Sequence, residues 1–186
     1  MNGAGTPNRR KRRENGGGKP AEQEARVVHI TILAVGRLKE RYWREAVDEY
    51  VKRLGRFGKA QVVEVPDEPA PERLSPAQER LVMEKEGRRL LEKIPPDAFV
   101  ITLEVEGKRL TSPGLSQLLA QKQVEGKSRF VFVIGGSLGL APEVRRRGDF
   151  ALSLSDLTLP HQLARVLLAE QIYRSFKLQT GEPYHK

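Results

Sequence analysis

The chain has 186 residues, 38% of them hydrophobic and 31% charged, which suits one globular domain and leaves no apolar run of membrane-spanning length. It contains no cysteine, which excludes disulfides, thiolate metal sites and a cysteine nucleophile and fits a reducing cytoplasm. Its net charge of +9 points to a polyanionic partner, because each Lys or Arg set on a phosphate releases condensed counterions; a merely solvated basic surface is the competing reading.

Residues 1–26 combine Gly, Pro and Asn with the basic run Arg9 to Arg13 and carry almost no apolar side chains. Such a segment cannot bury enough surface to offset the entropy of ordering, so a disordered extension is expected. It is either an arm that grips RNA backbone or an extension without a role, and the second reading is favoured. No apolar stretch follows the basic run, so it is not a secretory signal.

The domain proper is expected over residues 28–186. His29 to Val35 reads as a buried strand ending at Gly36. Tyr42, Trp43, Ala46, Val47, Tyr50, Val51 and Leu54 recur at helical spacing, with Gly55 as the C-cap. A strand from Ala60 to Val65 leads into a mobile loop rich in Pro and acids. Ser75-Pro76-Ala77-Gln78 opens a helix with a capping box, and Pro95-Pro96 stop it after Ile94. Phe99 to Leu103 is a third strand, Ser112-Pro113 start a third helix, and Phe130 to Ile134 is a fourth, wholly apolar strand. A short helix from Pro142 to Arg147, a short strand from Phe150 to Leu154 and a last helix from Pro160 to Lys177 complete the domain. This alternation predicts an α/β fold, a mostly parallel sheet with helices on both faces.

Gly135-Gly136-Ser137-Leu138-Gly139 follows the apolar strand, at the carboxyl edge where open α/β sheets bind ligands, and glycine there lets backbone amides approach a ligand. The spacing is neither the dinucleotide fingerprint nor a phosphate loop, and taken alone a plain turn outweighs a site. Leu152 to His161 is a long, mostly uncharged connection that either covers the core or walls an apolar or aromatic ligand. The last helix carries His161, Arg165, Glu170 and Arg174. At about 100° per residue, His161 and Arg165 share one face while Glu170 and Arg174, spaced to pair with each other, lie nearly opposite. The three histidines, His29, His161 and His185, lack the spacing of a metal site, so no metal is expected.

Taken together, Ile30 to Gly36, Val131 to Gly136, Leu157 to His161, Glu170 to Arg174 and the closing Tyr184-His185-Lys186 resemble the RlmH family, bacterial large-subunit rRNA (pseudouridine-N3)-methyltransferases of the SPOUT class. The resemblance covers about residue 28 to the end and implies a C-terminal trefoil knot, a homodimer in the cytoplasm and S-adenosyl-L-methionine as methyl donor. It places the donor on Leu103, Gly135, Gly136 and the stretch Leu154, Ser155, Asp156, Leu157, Thr158 and Leu159. The implied substrate is a pseudouridine in helix 69 of 23S rRNA, presented by assembled ribosomes. Its N3 is a weakly acidic imide nitrogen that must lose a proton, so His161, Arg174, Tyr184 and His185 are the catalytic candidates, and Arg165 and Lys186 the substrate-binding ones. Glu104 is a further candidate base. A non-catalytic RNA-binding protein is the alternative reading, and a nucleotide-binding oxidoreductase, which lacks its fingerprint here, the third.

Overall fold

The computed structural model describes Met1 and residues 27–71 and 73–182. The expected basic extension, and with it Tyr184, His185 and Lys186, lies outside the described residues.

Alternation within the strands decides the layering. Ile30, Ile32 and Ala34 share one core with Phe99, Ile101, Phe130, Phe132 and Ile134, while the intervening Leu33, Val35, Val100, Val131 and Val133 enter a second core. Strands that are apolar on both faces must be covered on both, so helices have to flank the sheet. The elements are β1 (Val28–Val35), α1 (Arg41–Leu54), β2 (Gly58–Val65), α2 (Pro76–Leu91), β3 (Phe99–Arg109), α3 (Ser112–Val124), β4 (Arg129–Ile134), α4 (Pro142–Arg147), β5 (Phe150–Ser153) and α5 (His161–Gln179). The five strands are parallel, in the order β2-β1-β4-β3-β5.

Helices α1, α3 and α5 close the first core through Leu54, Leu115, Leu119, Leu168, Ile172 and Phe176. Helices α2 and α4 close the second through Leu90 and Val144. Aromatic packing ties α5 to the α1–β2 corner, with Phe57 stacked on Phe176 at 5.8 Å. Polar pairs register α5 on α3: Ser112 Oγ donates to Gln171 Oε1 at 2.6 Å, and Ser116 Oγ to the Ser175 carbonyl at 2.8 Å. Among the described residues no helix is long and apolar enough to cross a membrane.

The capping box forms as expected, with Ser75 Oγ accepting the Gln78 N–H and Gln78 Oε1 accepting the Ser75 N–H. Two local expectations are corrected. Gly55 caps α1 in the right-handed region (φ −54°), so its glycine freedom is not used there. Strand β3 does not stop at Leu103 but runs to Arg109, interrupted by a bulge: Leu103 and Lys108 both face Leu152, and residues 104–107 loop out between them. Alternating charge, Glu104, Glu106, Lys108 and Arg109, hides this stretch from a hydrophobicity pattern because half of it meets solvent.

Phe132 lies at the centre of the sheet with no exposed surface. Phe132→Ala should cost about 3–5 kcal/mol of unfolding free energy, measured by urea denaturation, and a loss well below that range would contradict the packing described.

Candidate active site

Register brings three strand exits to one edge. Thr102 of β3 faces Val133 of β4 and Ala151 of β5, and Leu103 faces Leu152, so Gly135, Glu104 and Ser153 begin their exits side by side. Ala34 of β1 faces Ile134 in the same row. This is the carboxyl edge of a parallel sheet, where the fold leaves a crevice for ligands. Of the residues expected to hold a cofactor, Leu103, Gly135, Gly136 and Leu154 are all delivered to it.

The glycine turn closes on itself. The Gly139 N–H donates to the Gly136 carbonyl at 3.0 Å, and Gly139 has the left-handed φ of +86°. A Cβ at Gly135 would stand 2.7 Å from the Gly139 backbone, and one at Gly136 would stand 2.5 Å from Glu86 Oε2. The space these two glycines leave is therefore taken by the chain's own atoms, not held open for a ligand's approach.

Beyond β5 the chain makes a serine turn, in which the Leu157 N–H donates to Ser155 Oγ at 3.0 Å and Ser153 Oγ donates to the Ser155 carbonyl at 3.2 Å. Asp156 pairs with Arg109 on the extended end of β3, binding the loop to its neighbour. Leu154 packs against the first core, whereas Leu157 is 75% exposed and covers nothing in this chain. Thr158 is exposed and Leu159 half-buried. Next to this loop lies a pocket of about 290 Å³, walled by Leu110, Leu115, Leu152, Leu154 and Leu167 and edged by Thr111, Ser112, Ser153 and Gln171. A second cavity of about 260 Å³, lined by Glu84, Gly87, Arg88, Leu91 and Glu143, lies between α2 and α4.

Helix α5 separates the polar candidates. Arg165 is buried, donating from Nη1 to Glu64 Oε1 at 2.7 Å and from Nη2 to the Val35 and Gly36 carbonyls at 2.7 and 2.9 Å. Burial pulls its pKa down and the Glu64 carboxylate opposes this. The expected substrate-binding role meets a side chain already committed inside the fold. His161, one turn earlier, is exposed at the start of α5, and its pKa is lowered first by partial desolvation and then by the Arg165 cation. Arg174 pairs with Glu170 through Nε at 2.9 Å and Nη2 at 2.6 Å, the helical spacing pair foreseen from sequence. Gln171 Nε2 satisfies the other Glu170 oxygen. At about 1.5 Å per residue, His161 and Arg174 stand roughly 20 Å apart along α5, so one chain does not bring them to one atom. Glu104 turns toward α4, accepting from Thr102 Oγ1 at 2.7 Å and pairing with Arg145 at 3.6 Å.

Sequence reasoning passed over Glu64, Glu86, Thr111, Ser112 and Gln171. Glu86 had a legible signal, an acid on the apolar stripe of α2 between Met83 and Leu90. Thr111 had a local one as well, a threonine before Ser112-Pro113 that caps α3 by accepting the Gly114 N–H at 3.1 Å; Glu64, Ser112 and Gln171 had none, because they bond to residues remote in the chain. Among the described residues no group of three or more His, Asp or Glu side chains is placed to hold a metal ion.

Arg165→Met would leave Glu64 and two strand-end carbonyls without their donor. A loss of about 3–5 kcal/mol in urea denaturation is expected, and near-wild-type stability would show that the arginine is not a structural brace.

Residues 28–185, spanning all ten secondary-structure elements, match the family described as predicted SPOUT methyltransferase. Among solved structures, a methylase family protein from Neisseria gonorrhoeae is 16% identical over 90% of each chain, with a TM-score of 0.49. A methylase family protein from Haemophilus influenzae Rd KW20 is 13% identical over 86% of this chain and 70% of that one, with a TM-score of 0.45. The SpoU methyltransferase AviRb from Streptomyces viridochromogenes, solved with the cofactor AdoMet, is 15% identical over 85% of this chain and 60% of its own, with a TM-score of 0.43. Because the family match takes in every strand and helix of the domain, the chain belongs to the SPOUT methyltransferase family.

Proposed function

We propose that this protein transfers a methyl group from S-adenosyl-L-methionine to N3 of a pseudouridine in helix 69 of bacterial 23S rRNA, acting as a cytoplasmic homodimer on assembled ribosomes. Family membership supplies the reaction class. The observation that carries the site is the meeting of the β4, β3 and β5 exits beside the 290 Å³ pocket. Its leucine walls and hydroxyl and amide edge suit an adenosine-sized body, with apolar contact for the ring and hydrogen-bonding groups for its rim. This pocket fits the donor through Leu110, Leu115, Leu152, Leu154 and Leu167, and in this reading Leu103, the loop through Leu159 and the Gly135–Gly136 turn hold the remainder of the donor at the same sheet edge.

The donor supplies an electrophilic methyl group on a sulfonium. The protein's own tasks are to orient the acceptor, limit water and accept a proton. His161, exposed at the start of α5, has a ring nitrogen that in its neutral form can take the N3 proton. Arg174 is suited to a uracil oxygen or a phosphate, because guanidinium binds either bidentately. Its distance from His161 favours a site completed by a second copy, in which one acceptor meets His161 and the partner's Arg174. In this reading Tyr184 stacks on the base, His185 and Lys186 help to place the nucleotide, and the three reach the partner's pocket. Arg165 then acts through Glu64 and β1, holding the edge in shape. The +9 charge suits a ribosomal substrate. We also read β4 to α5 as the trefoil knot, a reading supported by membership of the SPOUT family.

Mass spectrometry of 23S rRNA from cells with and without the gene tests target and chemistry together. A methyl group on the helix 69 pseudouridine should vanish with the gene, and an unchanged spectrum refutes the assignment. Deleting Tyr184, His185 and Lys186 should abolish methylation while calorimetry still registers donor binding; full activity of the truncated enzyme would reject a role for the tail.

A further inference from the structure

One buried acid has no part in the mechanism above. Glu86, on α2, is 4% exposed, and its Oε1 accepts the Glu68 N–H at 2.9 Å. Its other oxygen, Oε2, is buried without a hydrogen-bond partner and lies against Gly136, where a Cβ would come within 2.5 Å of it. A buried ionised carboxylate with one oxygen unpaired is strongly disfavoured, whereas the neutral acid is tolerated.

The surroundings favour the neutral form. Burial is the largest influence and raises the pKa; Asp67 and Glu68, on the segment after β2, raise it further, while the Glu68 N–H and Arg89 of α2 work against them. Lys85 and Arg89 are drawn to Glu68, and Arg89 also donates to the Pro66 carbonyl at 2.9 Å. From the other side, the turn from Gly135 to Leu140 presents no charge, and the nearby Arg145 of α4 is paired with Glu104.

We propose that Glu86 is a positioning residue for the glycine turn: its buried carboxyl is wedged between the Pro66–Glu68 segment and Gly136, and so fixes the surface beside which the methyl donor lies. This rests on the donor site proposed above. It also accounts for glycine at 136, since any side chain there would displace Glu86.

Glu86→Gln keeps the shape and the neutral charge, and Glu86→Ala removes the wedge. In the Gln variant the Gly139 amide, which is bonded to the Gly136 carbonyl, should exchange as slowly as in the wild type, and calorimetric affinity for S-adenosyl-L-methionine should stay within about 3-fold. The Ala variant should exchange faster at that amide and lose about 10-fold or more in affinity. The pH arm follows from the raised pKa: a carboxyl that holds its proton more tightly when folded loses stability, relative to Gln, as pH climbs above its ordinary value of 4.5. The urea midpoint of Glu86→Gln should therefore gain on the wild type with rising pH. Parallel pH profiles, Gly139 exchange in Glu86→Ala matching the wild type, or a Gln variant as impaired as Ala would each overturn the proposal. Should the wild type bind no donor, the donor-site reading fails, while the exchange and pH arms still decide the role of Glu86. If the Ala variant does not fold, the Gln comparison decides it.

Discussion

A buried guanidinium has to be matched donor by donor, and the carboxyl edge of this sheet is arranged around one. Arg165 reaches from α5 to the end of β1 and to Glu64 of β2, and the same Glu64 oxygen accepts the Leu38 N–H at 3.0 Å. One ion pair thus fixes where β1 ends, how the chain turns toward α1 and where α5 begins. Desolvation makes such a pair costly unless its geometry is nearly complete. Here Nη1 and Nη2 have partners while Nε is buried without one. The Arg165 charge also reaches His161, whose pKa it lowers in addition to desolvation.

The placement of the site follows from parallel strands. All five point their carboxyl ends the same way, so the loops after β4 and β5 and the bulge in β3 emerge together although they are far apart in sequence. Helix α5 runs back from that edge, which carries Arg174 away from His161, and Leu157 is exposed.

Glycines 135 and 136 illustrate how one residue type answers to two constraints. Read in isolation they favoured a plain turn over backbone opened for a ligand. In the fold they yield space to Gly139 and Glu86, and any ligand meets a turn already shaped by those contacts.

Much was legible locally. Apolar alternation determined the strands and the two covered faces, Ser75 and Gln78 determined where α2 starts, and the spacing of Glu170 and Arg174 determined their pairing, since each depends on residues within a few positions of one another. The combination of motifs pointed to the SPOUT class as well. The strand order, the bulge of β3, the burial of Arg165 against Glu64 and of Glu86 beneath Gly136 were decided only by tertiary structure. Those features join residues from 30 to 130 positions apart, as in the Val28–Gly58 strand pair and the Val35–Arg165 hydrogen bond, and a sequence pattern with a period of two or 3.6 residues carries no information at that range.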